Sequence, residues 1–132
     1  MAELVKSGTP SLATLEPGYE HQINGVLAGE ALATGDFVYI KASDGRVYKA
    51  TGAAATEAAR ARGVVLQPAA AGQGTSIHHG IVVRWGAGLT PGTPYYLSGT
   101  APGLLADAAS TGGTAPIAFA IDATRIFVMS PR

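Results

Sequence analysis

The chain has no cysteine, only one asparagine and few charged residues: nine basic and nine acidic side chains make up 14% of its 132 residues. The absence of cysteine excludes disulfides and thiolate chemistry. Sparse and balanced charge excludes the basic surface that binds nucleic acid or an anionic membrane. The chain also lacks an apolar run long enough for a membrane span, and its first residues lack the apolar stretch of a signal peptide. We therefore expect a soluble protein with neither a nucleic-acid nor a membrane partner.

Glycine and proline, by contrast, occur 18 and 8 times and are spread along the whole chain. They separate short segments that are rich in β-branched and aromatic residues, which is the pattern of strands joined by turns. The segments are DFVYIK, GRVYKA, ARGVVLQ, TSIHHGIVVRW, PYYLS, PGLLAD, PIAFAI and TRIFVMS. They predict an all-β fold, a small β-barrel or sandwich of about eight short strands over residues 28–132. Residues 52–63 have enough helix formers for a short helix, and a loop is the alternative there.

One unit of the sequence occurs twice, at residues 32–50 (LATGDFVYIKASDGRVYKA) and 89–108 (LTPGTPYYLSGTAPGLLADA). The matching pairs are Leu32 and Leu89, Gly35 and Gly92, and Tyr39 and Tyr96 at an offset of 57, then Gly45 and Gly103, and Ala50 and Ala108 at an offset of 58. Residues of these types set backbone geometry or fill an interior. We expect two related turn-strand-turn units at equivalent places in one barrel.

Two of the predicted strands are apolar on both faces. In DFVYIK and PYYLS, apolar residues occupy the odd as well as the even positions. A strand of a sheet that has one face in solvent alternates apolar and polar residues instead. Either extended segments of the chain or a neighbouring subunit must therefore cover the second face. We expect Phe37, Tyr39 and Tyr96 to lie on the outer face and to form a subunit interface.

Residues 76–85, SIHHGIVVRW, alternate with a period of two. On a continuous strand, one face would carry four apolar residues together with His79, and the other would carry His78. We therefore expect Trp85 and His79 in the core and His78 in solvent.

Residues 1–27 contain five glycine and proline residues and show no sustained helical or strand period. Large apolar residues are nevertheless frequent, which is not typical of a disordered tail. We expect an extended N-terminal arm that binds a partner; a disordered leader, or packing on the chain's own barrel, is the alternative. The expected contact residues are Leu4, Leu12, Leu15, Tyr19 and Ile23.

No set of residues suggests catalysis or metal binding. His78 and His79 are adjacent, so on a strand they project to opposite faces and cannot hold one metal ion together. The four aspartates lie beside glycines or at strand edges, where aspartate bonds the local backbone; SDGR at 43–46 is typical of such a hairpin turn. The glycines of residues 69–75 lack the lysine and the following helix of a phosphate loop. We predict no enzyme activity, no cofactor and no metal ligand.

Three stretches follow one another in an order that resembles a known family: AGEALATGDFVYIKASDGRVYKATG, ARGVVLQPAAAGQGTSIHHGIVV and GLTPGTPYYLSGTAPGLL. Over residues 28–129 they resemble the small capsid decoration, or cement, proteins of tailed bacteriophages. The resemblance implies a β-barrel, frequently a homotrimer, on the outer capsid surface of the virion. It implies the major capsid protein and neighbouring decoration subunits as partners, a role in tying capsomers together, and no catalytic residue.

Two other classes of protein fit the sequence less well. A carbohydrate- or receptor-binding module of a phage fibre or spike is also small, all-β and trimeric. Such a module would cluster asparagine, aspartate and glutamine for hydroxyl contacts, yet Asn24 is the only asparagine. A small trimeric enzyme such as a nucleotide hydrolase would need an acidic metal site, which four scattered aspartates do not suggest. We therefore expect a structural protein that acts through its interfaces.

Overall fold

The computed structural model describes residues 21–130, which form two antiparallel five-stranded sheets packed as a β-sandwich. The fold is all-β, as the sequence predicts, and the sheets are not closed into a barrel. The first sheet contains β1 (Gln22–Leu27), β2 (Phe37–Ile40), β3 (Val47–Lys49), β4 (Gly63–Val64) and β5 (Gly74–His78). The second contains β6 (Ile81–Arg84), β7 (Pro94–Leu97), β8 (Leu105–Ala106), β9 (Ala118–Ala120) and β10 (Arg125–Val128). Within the described residues, helical structure is limited to the 3-10 turn Glu57–Ala59.

The two sheets have the same strand order. The first runs β1-β5-β4-β2-β3 and the second runs β6-β10-β9-β7-β8, so every strand has a counterpart five strands later. The strand pairings correspond as well. Val64 of β4 pairs with His78 of β5 in the first sheet, and Phe119 of β9 pairs with Phe127 of β10 in the second. The repeat visible in the sequence therefore extends beyond two turn-strand-turn units to two whole sheets.

Each register assigns counterpart residues in the two sheets. The pairs used below are Gln22 and Val82, Phe37 and Pro94, Val38 and Tyr95, Tyr39 and Tyr96, Val47 and Leu105, Val64 and Phe119, Ile77 and Ile126, and His78 and Phe127. The repeated turn glycines correspond too. Their φ angles are positive in both copies, 90° at Gly35 and 83° at Gly92, then 70° at Gly45 and 82° at Gly103. Glycine adopts this conformation without the strain that a side chain would cause.

The hairpin predicted at SDGR joins β2 and β3. Gly45 donates its N–H to the Lys41 carbonyl at 2.8 Å, and Lys41 donates its own to the Arg46 carbonyl at 2.9 Å. Asp44 accepts a hydrogen bond from the Arg46 N–H at 2.9 Å. The prediction that Asp44 has a geometric function in a turn is confirmed.

Two hydrophobic clusters lie on opposite faces of the first sheet. The first cluster contains Ala28, Leu32, Val38, Val47, Val65, Ala69 and Ile77. The second lies between the sheets and contains Phe37, Ala50, Val64, Leu97, Ala118, Ile126 and Val128. The connections that carry Leu32 and Ala69 cover one face of the first sheet, and the second sheet covers the other. Strand β2 is thus apolar on both faces because other parts of the same chain bury both.

The N-terminal boundary differs from the expected one, because residues 22–27 form β1 and pair with β5. Ile23 lies opposite Ile77 and packs against the first cluster, so it belongs to the first sheet rather than to an arm. A register shift between Ile23 and Val26, at Gly25 with φ of 77°, lets both side chains pack against that cluster. Such a bulge breaks the period of two by which a strand is recognised.

The single strand expected over residues 76–85 is two strands in different sheets. Gly80, with φ of 64°, separates β5 from β6. Ile77 therefore lies in the first cluster, whereas Trp85 packs against the second. The expected register is wrong for the histidines, because His78 lies opposite Val64 and is half-buried. Together with β1, this division raises the strand count from the expected eight to ten within residues 21–130.

Candidate interaction surface

Four apolar residues form a line across the outer face of the second sheet. Val82 of β6 pairs with Phe127 of β10, Phe127 pairs with Phe119 of β9, and Phe119 pairs with Pro94 of β7. Directly opposed residues of neighbouring strands point to the same face of a sheet. We call Val82, Phe127, Phe119 and Pro94 the outer row.

The outer row is exposed. Val82 is 51% exposed, Phe119 is 39% exposed, Pro94 is also exposed and Phe127 is half-buried. The rings of Phe119 and Phe127 stack at a centroid distance of 5.5 Å with an interplanar angle of 34°. A contiguous apolar line that crosses four strands differs from the scattered apolar residues of an ordinary surface, and such patches mark interaction sites.

The internal repeat shows what this face of the sheet does elsewhere in the molecule. The counterparts of Phe119 and Pro94 in the first sheet are Val64 and Phe37, which are 0% and 1% exposed and lie in the cluster shared with the second sheet. The same face is therefore a packing face in one repeat and open in the other.

The outer row has apolar residues at positions where the first sheet has polar ones. Where the first sheet has Gln22 and His78, the second has Val82 and Phe127, although its face is the more exposed one. Exchange of polar for apolar residues at exposed counterpart positions favours a contact surface over a solvated one.

Charged residues border the outer row at one end. Arg84 and Arg125 are paired across β6 and β10, two positions along from Val82 and Phe127, and so they share the outer face. Asp122 binds Arg125 at 2.8 Å. The N–H of Thr124, together with the Arg125 side chain, lowers the pKa of Asp122 to about 2. Within residues 21–130, Arg84 has no carboxylate within salt-bridge distance. The surface thus combines an apolar line with a positive charge that has no carboxylate partner among residues 21–130.

The three predicted interface residues lie in different environments. Phe37 is 1% exposed and packs between the sheets, with its ring centroid 6.1 Å from that of Trp85, so it has no surface to offer a partner. Tyr39 is half-buried and packs against the same cluster. Tyr96 is half-buried on β7, two residues from Pro94, so it lies on the outer face beside the row. Of the predicted arm residues, Leu4, Leu12, Leu15 and Tyr19 lie outside the described residues.

The histidines occupy the junction between the sheets. His79 Nδ1 is 3.2 Å from the Ser130 hydroxyl, and its ring contacts that of His21 edge-on at a centroid distance of 6.2 Å. Burial, with a smaller contribution from the charge of His79, lowers the pKa of His78.

Among residues 21–130, no three acidic, histidine or cysteine side chains are grouped as a metal site would require. No helix in that range is long and apolar enough to cross a membrane.

A pocket of about 360 Å³ opens on the inner side of the second sheet, lined by Trp85, Leu89, Tyr95, Leu105, Ala106, Asp107 and Ile126. A second, wider groove of about 670 Å³ lies along β1 and β5, and its lining includes the polar side chains of Gln22, Gln67, Ser76 and His78. Comparison of the chain with protein-family models and with curated proteins found no match.

Proposed function

We propose that the protein is a structural virion protein that binds the outer surface of a tailed-phage capsid and stabilises it by bridging neighbouring capsomers. The major capsid protein and neighbouring copies of the chain would be its partners, and the working form would be a homotrimer. The observation that carries the proposal from the structure is the outer row, an exposed apolar line across four paired strands. The sequence resemblance over residues 28–129 supplies the identity of the partner.

In the proposed mechanism, binding of the protein is coupled thermodynamically to the stability of the shell. A protein that binds the assembled shell more tightly than its dissociated subunits stabilises the shell by mass action, without any chemical step. In this scheme the outer row contacts the major capsid protein, and Arg84 pairs with a carboxylate at the edge of that contact. Leu4, Leu12, Leu15 and Tyr19 would add contacts from the arm. Tyr39 and Tyr96 remain the proposed subunit contacts, and Phe37 is withdrawn because it is buried within the chain.

Co-sedimentation with tailed-phage shells that lack decoration, mature and immature, tests the proposal. We expect the protein to sediment with shells and Phe119→Ser to weaken binding at least about tenfold, or about 1.4 kcal/mol. Leu104→Ser is the matched control, because Leu104 is also an exposed large apolar residue, at 48%, but lies outside the outer row. The proposal fails if the protein sediments with neither kind of shell, or if the two variants bind equally well.

Light scattering tests the proposed trimer separately. A species of three times the monomer mass of 13.3 kDa is expected at micromolar concentration, either free or on the shell. A chain that stays monomeric in solution and also binds shells as isolated copies would contradict the trimer while leaving shell binding intact.

A carbohydrate- or receptor-binding module is the second candidate, and the groove along β1 and β5 favours it. Asn24 Oδ1 accepts hydrogen bonds from Gln22 Nε2 at 2.7 Å and from the Ser76 hydroxyl at 2.6 Å beside this groove. Amide and hydroxyl groups of this kind contact sugar hydroxyls. Binding to a glycan array that is lost in Gln22→Ala, with no affinity for shells, would support this candidate over capsid decoration.

A further inference from the structure

The pocket on the second sheet occupies the place of a closed core in the first. Its lining residues Tyr95, Leu105 and Ile126 are the counterparts of Val38, Val47 and Ile77. Those three members of the first cluster are all 0% exposed; in the second sheet Ile126 is also 0% exposed, whereas Tyr95 and Leu105 are only half-buried. Leu32, 4% exposed, matches Leu89, which is half-buried. The second repeat thus has the walls of this core, but the first sheet covers them only in part.

The missing cover is a segment of chain. In the first repeat, residues 65–73 connect β4 to β5, and Val65 and Ala69 of this connection are buried in the first cluster. In the second repeat, only residues 121–124 connect β9 to β10, and Ala123 is exposed. The side chains that close the first core therefore have no equivalent over the pocket.

The backbone shows the same difference. Leu32 exchanges two hydrogen bonds with Ala69, its N–H donating at 2.8 Å and its carbonyl accepting at 3.0 Å. Leu89 donates its N–H to the Ala123 carbonyl at 3.1 Å, but no backbone N–H of residues 21–130 donates to the Leu89 carbonyl. A carbonyl that accepts no backbone hydrogen bond from the described residues, beside a pocket lined mainly by apolar side chains, can bind one more extended peptide segment.

The sequence contains a second stretch that resembles the covering segment. Residues 65–69 read VLQPA, and residues 14–18 read TLEPG. Leucine and proline are identical in the two stretches, and the other three positions match in class: β-branched, glutamate or glutamine, and small. The described chain begins at the far end of the strand that leads to the pocket: the His21 carbonyl accepts a hydrogen bond from the His79 N–H at 3.0 Å, just before β6, which ends next to Trp85.

We propose that residues 14–18 of this chain bind in the pocket of the second sheet and complete its core as residues 65–69 complete the first. Six residues from Leu15 to His21 span up to about 20 Å when extended. The five residues from Gly80 to Trp85 span about 17 Å as a strand. The reach is therefore sufficient within one chain, and a neighbouring copy can supply the same segment. Leu15 would then contact the second sheet instead of a shell, and Leu4, Leu12 and Tyr19 would remain available for other partners. This proposal concerns the chain alone and does not depend on a capsid.

Trp85 is the only tryptophan in the chain and lines the pocket, so its fluorescence reports occupancy. In the full-length protein we expect Leu15→Asp to shift Trp85 emission to the red and to increase quenching by acrylamide. Leu4→Asp, the same change in the same terminal segment, should leave both unchanged. A peptide of residues 10–20 added to the Leu15→Asp protein should reverse the shift with a saturable dose dependence. Emission and quenching that are identical in the wild type and both variants would overturn the proposal.

Disulfide trapping provides a test that does not require Leu15→Asp to fold normally. The chain has no cysteine, so a pair placed at Glu16 and at Asp107, an exposed residue of the pocket lining, forms a bond only if the two sites approach each other. We expect Glu16→Cys with Asp107→Cys to cross-link under mild oxidation, and Leu4→Cys with Asp107→Cys not to. A cross-link within one chain or between two chains supports the proposal and identifies the donor. Failure of the first pair, or equal cross-linking of both pairs, contradicts it.

Discussion

Phe37 and Phe119 offer a direct test of which aromatic residues hold the fold and which face a partner. Phe37 is 1% exposed and lies between the two sheets, where its ring meets that of Trp85 at a centroid distance of 6.1 Å. Phe119 is 39% exposed on the outer row. Both lie on short strands, so sequence pattern alone does not distinguish them.

Replacing Phe37 with alanine removes a fully buried ring and leaves a cavity. Substitutions of this kind cost about 3–5 kcal/mol, a large part of the roughly 5–15 kcal/mol that stabilises a typical domain. Phe119→Ala removes a partly exposed ring and its contact with Phe127, and aromatic pairs of this kind contribute roughly 0.5–1.5 kcal/mol. Because Phe119→Ala also loses the area that its ring buries, we expect Phe37→Ala to cost at least about 1 kcal/mol more than Phe119→Ala.

Equilibrium unfolding in urea, followed by far-UV circular dichroism, measures this difference. The slopes of the transitions should match, so that the shift in midpoint reports stability. In shell co-sedimentation the order should reverse, with Phe119→Ala binding more weakly than Phe37→Ala at a temperature where both are folded. Equal unfolding midpoints would refute the assignment of Phe37 to the core and restore it as a surface residue.

Three further predictions concern single residues. Gly63→Ala should destabilise by at least about 2 kcal/mol in urea unfolding, because φ is 153° and an added Cβ would meet the His78 carbonyl, whereas Gly74→Ala, with open space around it, should cost less than about 1 kcal/mol. Because the pKa of His78 is lowered in the folded state, protonation favours unfolding; melting temperature should fall as pH drops below about 6.5, and less so in His78→Gln. The pKa of Asp122 is lowered to about 2, so its contribution should be complete above its unfolded pKa near 3.8 and disappear as pH falls through 2. Asp122→Asn should thus be less stable than the wild type at neutral pH and equal to it in strong acid.

The sequence predicts most strands correctly because each is short, apolar and bounded by glycine or proline. It fails where a glycine changes the direction of side chains without ending the apolar pattern. At Gly25 a bulge places Ile23 and Val26 against the same cluster, so β1 does not show a period of two. At Gly80 the alternation continues unbroken although the chain passes from one sheet to the other. Periodicity reports local geometry, and the assignment of a strand to a sheet is a tertiary property.

The outer row could not be predicted for a different reason. Its four residues come from four strands, and each is an ordinary apolar residue within its own segment. Only the pairing of β6, β10, β9 and β7 brings them into line. A weak signal was present in PIAFAI, where Phe119 stands between Ala118 and Ala120. Small residues facing the interior and a large one facing outward reverse the usual arrangement, and this reversal is a sign of a second contact surface.

The sequence alone does not reveal the full extent of the internal repeat, because the difference in residue number between counterpart positions changes along the chain. Phe37 and Pro94 differ by 57 positions, Gly63 and Ala118 by 55, and Ile77 and Ile126 by 49. The six positions lost between the last two pairs fall in the connection that covers the core of the first sheet. This largest change of offset has two consequences. It removes the fixed offset by which a repeat is recognised, and it opens the second core as the pocket around Trp85. If residues 14–18 fill that pocket, a terminal segment covers the second core, whereas a loop between two neighbouring strands covers the first. A terminal segment can bind in the pocket of a neighbouring copy, whereas a loop between two strands of one sheet stays with its own copy.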